Sequence, residues 1–97
     1  MLILQDCIQK LSTFKRMFGE KFGILRLGIF GSVARRENTP ESDIDIVVEI
    51  EKPSLSGMYE LRESLKALLG CEVDLVRYRN SLRPSFKSNI QRDAIYV

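Results

Sequence analysis

Two aspartates in the middle of the chain are the residues most suited to chemistry. Asp43 and Asp45 lie two positions apart and run directly into the apolar residues 46–48. If this run is a strand, alternate side chains share a face, so both carboxylates point the same way. Carboxylate oxygens are the ligands that hard divalent cations prefer. The pair therefore predicts a metal site at the beginning of a strand.

A turn of small residues precedes the acids and could bind phosphate. Gly31 and Ser32 leave backbone N–H groups free to face phosphate oxygens, although Ser32 could also be an ordinary exposed turn residue. Arg35 follows within the same turn. Its guanidinium could contact a phosphate or pair with Glu37 or Glu41. Together with the acids, the turn suits the triphosphate of a metal-bound nucleotide.

Asp74 is a third acid, placed between apolar residues in a later strand-like segment. It could converge with Asp43 and Asp45, or it could pair with a neighbouring arginine. Close like charges are costly unless a cation neutralises them, so convergence of the three carboxylates would favour a divalent metal.

Several other phosphate and metal motifs do not fit the sequence. Haloacid-dehalogenase-type phosphatases and many glycosyltransferases have the apolar strand before the acids, whereas here it follows them. An EF-hand loop would need glycine and further oxygen ligands after the acids, and a Walker A loop would need Gly-Lys-Ser/Thr. The chain has no histidine, which excludes Ser-His-Asp and Cys-His catalysis and histidine-bearing zinc sites. A metal-dependent phosphoryl-transfer site outside these motif classes is consistent with the residues.

Composition indicates one ordinary globular domain, residues 1–97, with 44% apolar and 29% charged residues. The net charge of +2 is too small to indicate direct binding of nucleic acid. Basic residues concentrate only toward the end of the chain, where they could be a solvated face, a triphosphate contact or a site for an acidic partner: Arg77, Arg79, Arg83, Lys87 and Arg92. With no secretory signal or membrane span, we expect a cytoplasmic protein in which Cys7 and Cys71 are free thiols.

Hydrophobic periodicity predicts an α/β (α+β) domain in which helices pack on a mixed sheet. Residues 4–21 form a helix that ends near Gly19 or Gly23, and residues 24–30 form a strand covered on most of both faces. A turn or two follows over residues 31–36. Further elements are a strand over 43–50, a helix marked by residues 58–68 and ended by Gly70, a strand over 72–77, a helix over 84–92 and a short strand or tail over 94–97.

The central residues resemble a known signature. Residues 31–36, Gly-Ser-Val-Ala-Arg-Arg, and residues 42–45, Ser-Asp-Ile-Asp, are similar to the GSxARG…SDxDLxV pattern of the nucleotidyltransferase (DNA polymerase β-like) superfamily. The short chain is similar to the minimal nucleotidyltransferases (MNT proteins) of prokaryotes. These are often paired, as antitoxins, with HEPN-domain ribonuclease toxins. Arg36 stands where the family usually has glycine.

The resemblance implies the small nucleotidyltransferase fold and a role for each motif residue. Asp43 and Asp45 would bind the metal that accompanies the triphosphate, and Asp74 would complete a second metal site and activate the attacking hydroxyl. Two Mg²⁺ ions are implied, with Mn²⁺ as a substitute. The nucleotide phosphates would be bound by Gly31, Ser32 and Arg35.

By the same resemblance, ATP would donate AMP to a hydroxyl, such as a tyrosine of a cognate HEPN toxin, and this AMPylation would silence the toxin. The rival reading is a non-catalytic antitoxin that binds its partner and blocks it sterically. A small nucleic-acid-binding domain is a third reading, but no strand face interleaves aromatic and basic residues as such domains do.

Overall fold

A single mixed sheet of four strands carries helices on both faces. Residues 3–97 are described in the computed structural model. The elements, in chain order, are α1 (Leu4–Phe22), β1 (Ile24–Phe30), α2 (Gly31–Ala34), β2 (Ile44–Ile50), α3 (Leu55–Leu69), β3 (Val73–Arg77), α4 (Pro84–Asp93) and β4 (Ile95–Tyr96). The α/β class, the sequence of elements and most of the boundaries confirm the predictions.

The sheet order β3-β2-β1-β4 places β2 between two hydrogen-bonded neighbours. β1 pairs with β2 in antiparallel fashion, and β3 pairs with β2 in parallel. In this register Asp45 of β2 lies opposite Phe30 on one side and Asp74 on the other. The end of β1, where α2 begins, therefore meets the beginning of β2 and β3 at one edge of the sheet.

The alternating side chains of β2 divide the interior into two hydrophobic clusters. Ile44, Ile46 and Val48 pack against the apolar stripes of α1 and α3 in the larger cluster. Val47 points to the opposite face and packs with Phe30, Leu82 and Ile90, which brings α4 onto that side. Because side chains alternate along a strand, Asp45 lies on the same face as Val47 and therefore on the α4 side of the sheet.

The helices begin and end where local chemistry favours it. Ser54 caps the N-terminus of α3. Its carbonyl accepts the first hydrogen bond of the helix, from the Met58 N–H, and its hydroxyl accepts a hydrogen bond from the Gly57 N–H at 3.0 Å. This cap begins α3 three residues before Met58, the first apolar position that marked the helix in the sequence. Gly70 ends α3 in the left-handed conformation, with φ +70°.

One expectation for β1 was wrong. The sequence predicted a strand covered on most of both faces, but Leu25 is 51% exposed and Arg26 is also exposed. Only the second half of β1, from Leu27 to Phe30, is buried. The pairing of β1 with β2 is irregular between Ile24 and Arg26, and Leu25 has no paired residue on β2, so the exposed half of β1 is the half in which the regular register is interrupted.

Two further findings concern the thiols and the helices. Cys7 and Cys71 are free, as expected, and burial raises the pKa of both thiols.

Within residues 3–97, no helix combines the length and apolar character that crossing a membrane requires.

Arg36 occupies a backbone conformation that favours glycine. Its φ is +60°, and it is the one non-glycine residue of the described chain with a positive φ. The left-handed region costs a residue with a Cβ about 1–2 kcal/mol. The family's usual glycine would adopt this conformation without that cost.

We therefore expect Arg36→Gly to raise the free energy of unfolding by about 0.5–1 kcal/mol, part of the relief being offset by the greater freedom of glycine in the unfolded chain. Urea denaturation would measure the change. Arg36→Ala is the matched control, since it removes the same side chain and keeps the Cβ. A gain of equal size in both variants would trace the effect to the arginine side chain and contradict the backbone explanation.

Candidate active site

Asp45 is the centre of the candidate site. It lies on the middle strand β2, half-buried, with Asp74 of β3 as its partner in the parallel register. Paired residues of neighbouring strands point to the same face of the sheet, so the two side chains lie side by side. Two carboxylates held this close repel each other, so Asp45 and Asp74 form an acid pair that a cation would stabilise.

The surroundings of Asp45 raise its pKa to about 6 from an ordinary 3.8. Burial is the largest cause, followed by the negative charges of Asp74 and Asp43 and the hydrogen bond to Asp74. The positive charge of Arg35 opposes these effects and lowers the pKa. The site thus concentrates negative charge where solvent screens it incompletely, and a divalent cation would relieve that repulsion.

Asp43 is placed differently from the other two acids. It is exposed and lies just before β2, whose first residue, Ile44, donates its backbone N–H to the Glu72 carbonyl. The charge of Asp43 still reaches Asp45. However, no three acidic or cysteine side chains within residues 3–97 form a ready-made metal-binding group. The structure therefore brings Asp45 and Asp74 together and leaves Asp43 beside them.

The available donors nevertheless fit a hard cation. All three acids offer carboxylate oxygens, which suit Mg²⁺ or Mn²⁺ rather than a softer metal. The alternative reading of Asp74, an ion pair with a neighbouring arginine, does not occur within the described part of the chain. The assignment of Asp43, Asp45 and Asp74 as metal ligands stays a prediction.

Gly31 lies directly against Asp45. Its φ is +74°, and a Cβ built on it would lie 2.9 Å from the Asp45 Cγ and closer still to a carboxylate oxygen. Sequence reasoning assigned Gly31 to free backbone N–H groups and missed this close approach. Ser32 follows, half-buried, at the beginning of α2. The predicted phosphate-binding turn and the acid pair are thus in contact.

Arg35 lies just after α2 and forms two ion pairs. Its Nε donates to Glu37 at 3.0 Å and its Nη1 to Asp93 at 2.7 Å. These hydrogen bonds, Glu37 first and Asp93 second, raise the pKa of the guanidinium. The expected pairing with Glu37 is present. Arg35 ends the short helix that begins at Gly31, and its positive charge lowers the pKa of Asp45.

Asp93 is the residue of the site region that sequence reasoning missed. It is the last residue of α4 and contacts both Arg35 and Arg92. One signal in the sequence could have revealed it. An acid in the last turn of a helix opposes the helix dipole, so an Asp at this position suggests a partner elsewhere in the fold.

A cavity of about 290 Å³ opens on the α1/α3 side of the sheet, and none of the three acids lines it. Its wall includes Thr39, Ser42 and Ile44 from the chain around Asp43, with Cys71 from the turn before β3. After burial, the charge of Asp43 is the next cause of the raised Cys71 pKa, which places this wall near Asp43. The cavity therefore adjoins the chain around Asp43 and lies on the face of the sheet opposite to Asp45.

Comparisons of the sequence with known proteins point to one family. The family described as "Nucleotidyltransferase domain" matches residues 11–97. The protein adenylyltransferase MntA of Thermococcus cleftensis is 41% identical over 98 residues, covering 100% of this chain and 98% of that relative. A Methanocaldococcus jannaschii relative, provisionally named a protein adenylyltransferase, is 39% identical over 100 residues. The match covers 100% of both chains.

Solved structures agree with the sequence relatives. One provisionally described as a minimal nucleotidyltransferase superposes with a TM-score of 0.80 at 30% identity, covering 97% of this chain and 95% of that one. The MNT antitoxin complexed with a tri-AMPylated Shewanella oneidensis HEPN toxin gives a match with a TM-score of 0.69 at 22% identity. It covers 97% of this chain and 71% of that chain, and at this identity it shows likeness of fold alone. With its fold, its signature residues and its relatives in agreement, the chain belongs to the nucleotidyltransferase superfamily, among the minimal nucleotidyltransferases.

Proposed function

We propose that this protein transfers AMP from ATP to a hydroxyl group of another protein. The observation that carries the proposal is the Asp45–Asp74 acid pair packed directly against the Gly31 turn. Such a site can hold a cation and a triphosphate side by side. The full-length similarity to proteins named protein adenylyltransferases supports AMP as the transferred group.

Each part of the site has a distinct task in this proposal. Asp43, Asp45 and Asp74 hold Mg²⁺, which Mn²⁺ can replace. When bound, the metal neutralises the triphosphate and lowers the pKa of an attacking hydroxyl. Gly31 and Ser32 hold the phosphates through backbone N–H groups and the Ser32 hydroxyl. The rigid sheet edge fixes these groups relative to one another before the substrate arrives.

The reaction is a substitution at the α-phosphorus. The acceptor oxygen forms a bond to the α-phosphorus, and the bond to the oxygen that bridges the α- and β-phosphates breaks. Pyrophosphate leaves, and the acceptor hydroxyl releases its proton. A phosphoester of AMP remains on the acceptor.

We propose a tyrosine of a HEPN ribonuclease as the acceptor. A protein of the same fold has been captured with a HEPN toxin that carries AMP groups. The rival function is steric neutralisation of the same partner without transfer, and the following experiment separates the two.

Incubation with the partner and labelled ATP should transfer label from α-³²P-ATP and none from γ-³²P-ATP. Asp43→Asn should abolish this transfer and leave complex formation intact, because an exposed acid before β2 contributes charge to the metal site and no packing. Glu41→Gln is the matched control, since it removes an exposed acid from the same loop and should keep transfer. If no α-label appears in the wild type and Asp43→Asn still neutralises the partner at equal concentration, the steric function replaces the enzymatic one.

A further inference from the structure

Asp93 occupies a position that is unfavourable for a carboxylate. Its side chain is 4% exposed, and it lies at the C-terminal end of α4, where the helix dipole carries partial negative charge. A buried charge is costly unless it is paired. Neither hydrophobic cluster includes it. The reason for an acid at this position must therefore lie in the groups that it contacts.

Those groups are two arginines that share one oxygen atom. Arg35 Nη1 donates to Asp93 Oδ2 at 2.7 Å, and Arg92 Nη2 donates to the same Oδ2 at 3.2 Å. Arg92 Nε also donates to Oδ1 at 2.9 Å. The hydrogen bonds from Arg92 and Arg35 lower the pKa of Asp93 against the opposing effect of burial. The carboxylate thus stays ionised and holds two like-charged guanidiniums side by side.

Both guanidiniums keep donors for a ligand. An arginine has five N–H groups in a planar fork. In the described chain, Arg35 commits Nε and one N–H of Nη1, and Arg92 commits Nε and one N–H of Nη2. The remaining groups suit phosphate oxygens, which arginine binds through paired hydrogen bonds. Arg35 ends the short helix that begins at Gly31, which lies against Asp45, and α4 packs on the face of the sheet that carries Asp45, so the pair lies at the same end of the sheet as the acid site.

We propose that Asp93 is a positioning residue that fixes Arg35 and Arg92 as a two-arginine platform for the β- and γ-phosphates of ATP. The inference rests on the proposed function and adds Arg92 and Asp93 to its site. With Glu37 and Asp93 included, the four-residue network carries no net charge. The platform therefore acts through directed hydrogen bonds rather than through a general positive field.

Because of this distinction, the direction in which Asp93→Asn changes triphosphate affinity tests the proposal. The substitution makes the network more positive, so a site governed by net charge would bind the triphosphate more tightly. A platform that depends on orientation would bind it less tightly. With the non-transferable probe α,β-methylene-ATP in Mg²⁺ buffer, we expect about a tenfold loss of affinity by calorimetry, as for one charge-assisted hydrogen bond. Binding of AMP, which lacks the β- and γ-phosphates, should not change.

Arg62→Gln is the matched control, because it removes an exposed arginine from α3 and should leave both affinities unchanged. Triphosphate affinity that rises or stays constant in Asp93→Asn, or falls together with AMP affinity, would overturn the platform. If Asp93→Asn does not fold, Arg92→Gln decides, since that side chain is 64% exposed. It should lower triphosphate affinity selectively, and an unchanged ratio of the two affinities would overturn the proposal.

The outcome is separable from that of the proposed function. If no α-label is transferred by the wild type but triphosphate binding still depends on Asp93, the function fails and the platform stands. If transfer occurs and Asp93→Asn keeps full triphosphate affinity, the platform fails and the function stands.

Discussion

Replacing Asp45 by asparagine should lower AMP transfer by about 10²-fold or more and, in EDTA, should make the fold more stable at neutral pH. The loss of transfer follows from removing the carboxylate closest to the centre of the proposed metal site. The gain in stability follows from removing a charge that burial and two neighbouring acids disfavour. Asparagine can still donate a hydrogen bond to Asp74.

The gain should depend on pH in a defined direction. The folded-state pKa of Asp45, about 6, lies above its ordinary value of 3.8, so folding favours the protonated form. The destabilisation by its charge is absent below about pH 4, grows as the pH rises and is complete above about pH 6. Because the side chain is only half-buried, solvent screening reduces the expected gain to about 1 kcal/mol.

Thermal melting of wild type and Asp45→Asn in EDTA, between pH 4 and 8, would measure this difference. Glu49→Gln is the control, since it neutralises another acid of β2 outside the site. A variant that is less stable than the wild type at pH 8, or a difference that does not shrink on acidification, would contradict the assignment of a repelled carboxylate.

Gly31→Ala should be the most destabilising single substitution at the site, costing about 2–4 kcal/mol in the free energy of unfolding. Two effects add. Alanine is strained at the φ of +74°, and its Cβ would collide with the Asp45 carboxylate. In Gly31→Ala protein that still folds, the new Cβ would displace the Asp45–Asp74 pair, so AMP transfer should fall as well.

Gly70→Ala separates these two effects. Gly70 has nearly the same φ, +70°, and a Cβ built on it meets no atom within 4 Å. It should therefore cost about 1 kcal/mol, from backbone strain alone. In an Asp45→Ala background, Gly31→Ala should cost about as much as Gly70→Ala. Denaturant titration of the four variants tests this, and equal costs for Gly31→Ala with and without Asp45 would exclude the collision.

The sequence predicted those features that depend on local pattern. Alternation along β2 separated the face of Ile44 and Ile46 from the face of Asp45, and apolar spacing predicted α1 nearly to the residue and the C-terminal end of α3. The third acid was found because Asp74 interrupts an apolar strand, and the parallel register then placed it beside Asp45. These features follow from periods of two and 3.6 residues, which a sequence displays directly.

The remaining features depend on contacts between distant segments. The exposed first half of β1 coincides with an irregularity in its pairing with β2. The close approach of Gly31 to Asp45 depends on the antiparallel register of β1 and β2. The contact between Asp93 and Arg35 joins the last helix to a turn in the first half of the chain. No local period encodes these pairings, and the only clue to them in the sequence is an acid in an unfavourable helical position.

The central position of β2 also determines how the site should behave in native-state hydrogen exchange. Strands bonded on both edges generally release their amide protons only when the whole domain unfolds, whereas short terminal elements open in smaller local events. Asp45 lies on such a doubly bonded strand, while Arg35 follows a four-residue helix and Arg92 lies in the last turn of α4. Asp45 thus belongs to the slowest-opening part of the molecule, whereas Asp74 lies on the edge strand β3 and the arginines lie in parts that open sooner. The contacts of Asp93 with Arg35 and Arg92 hold these arginines in place across that difference.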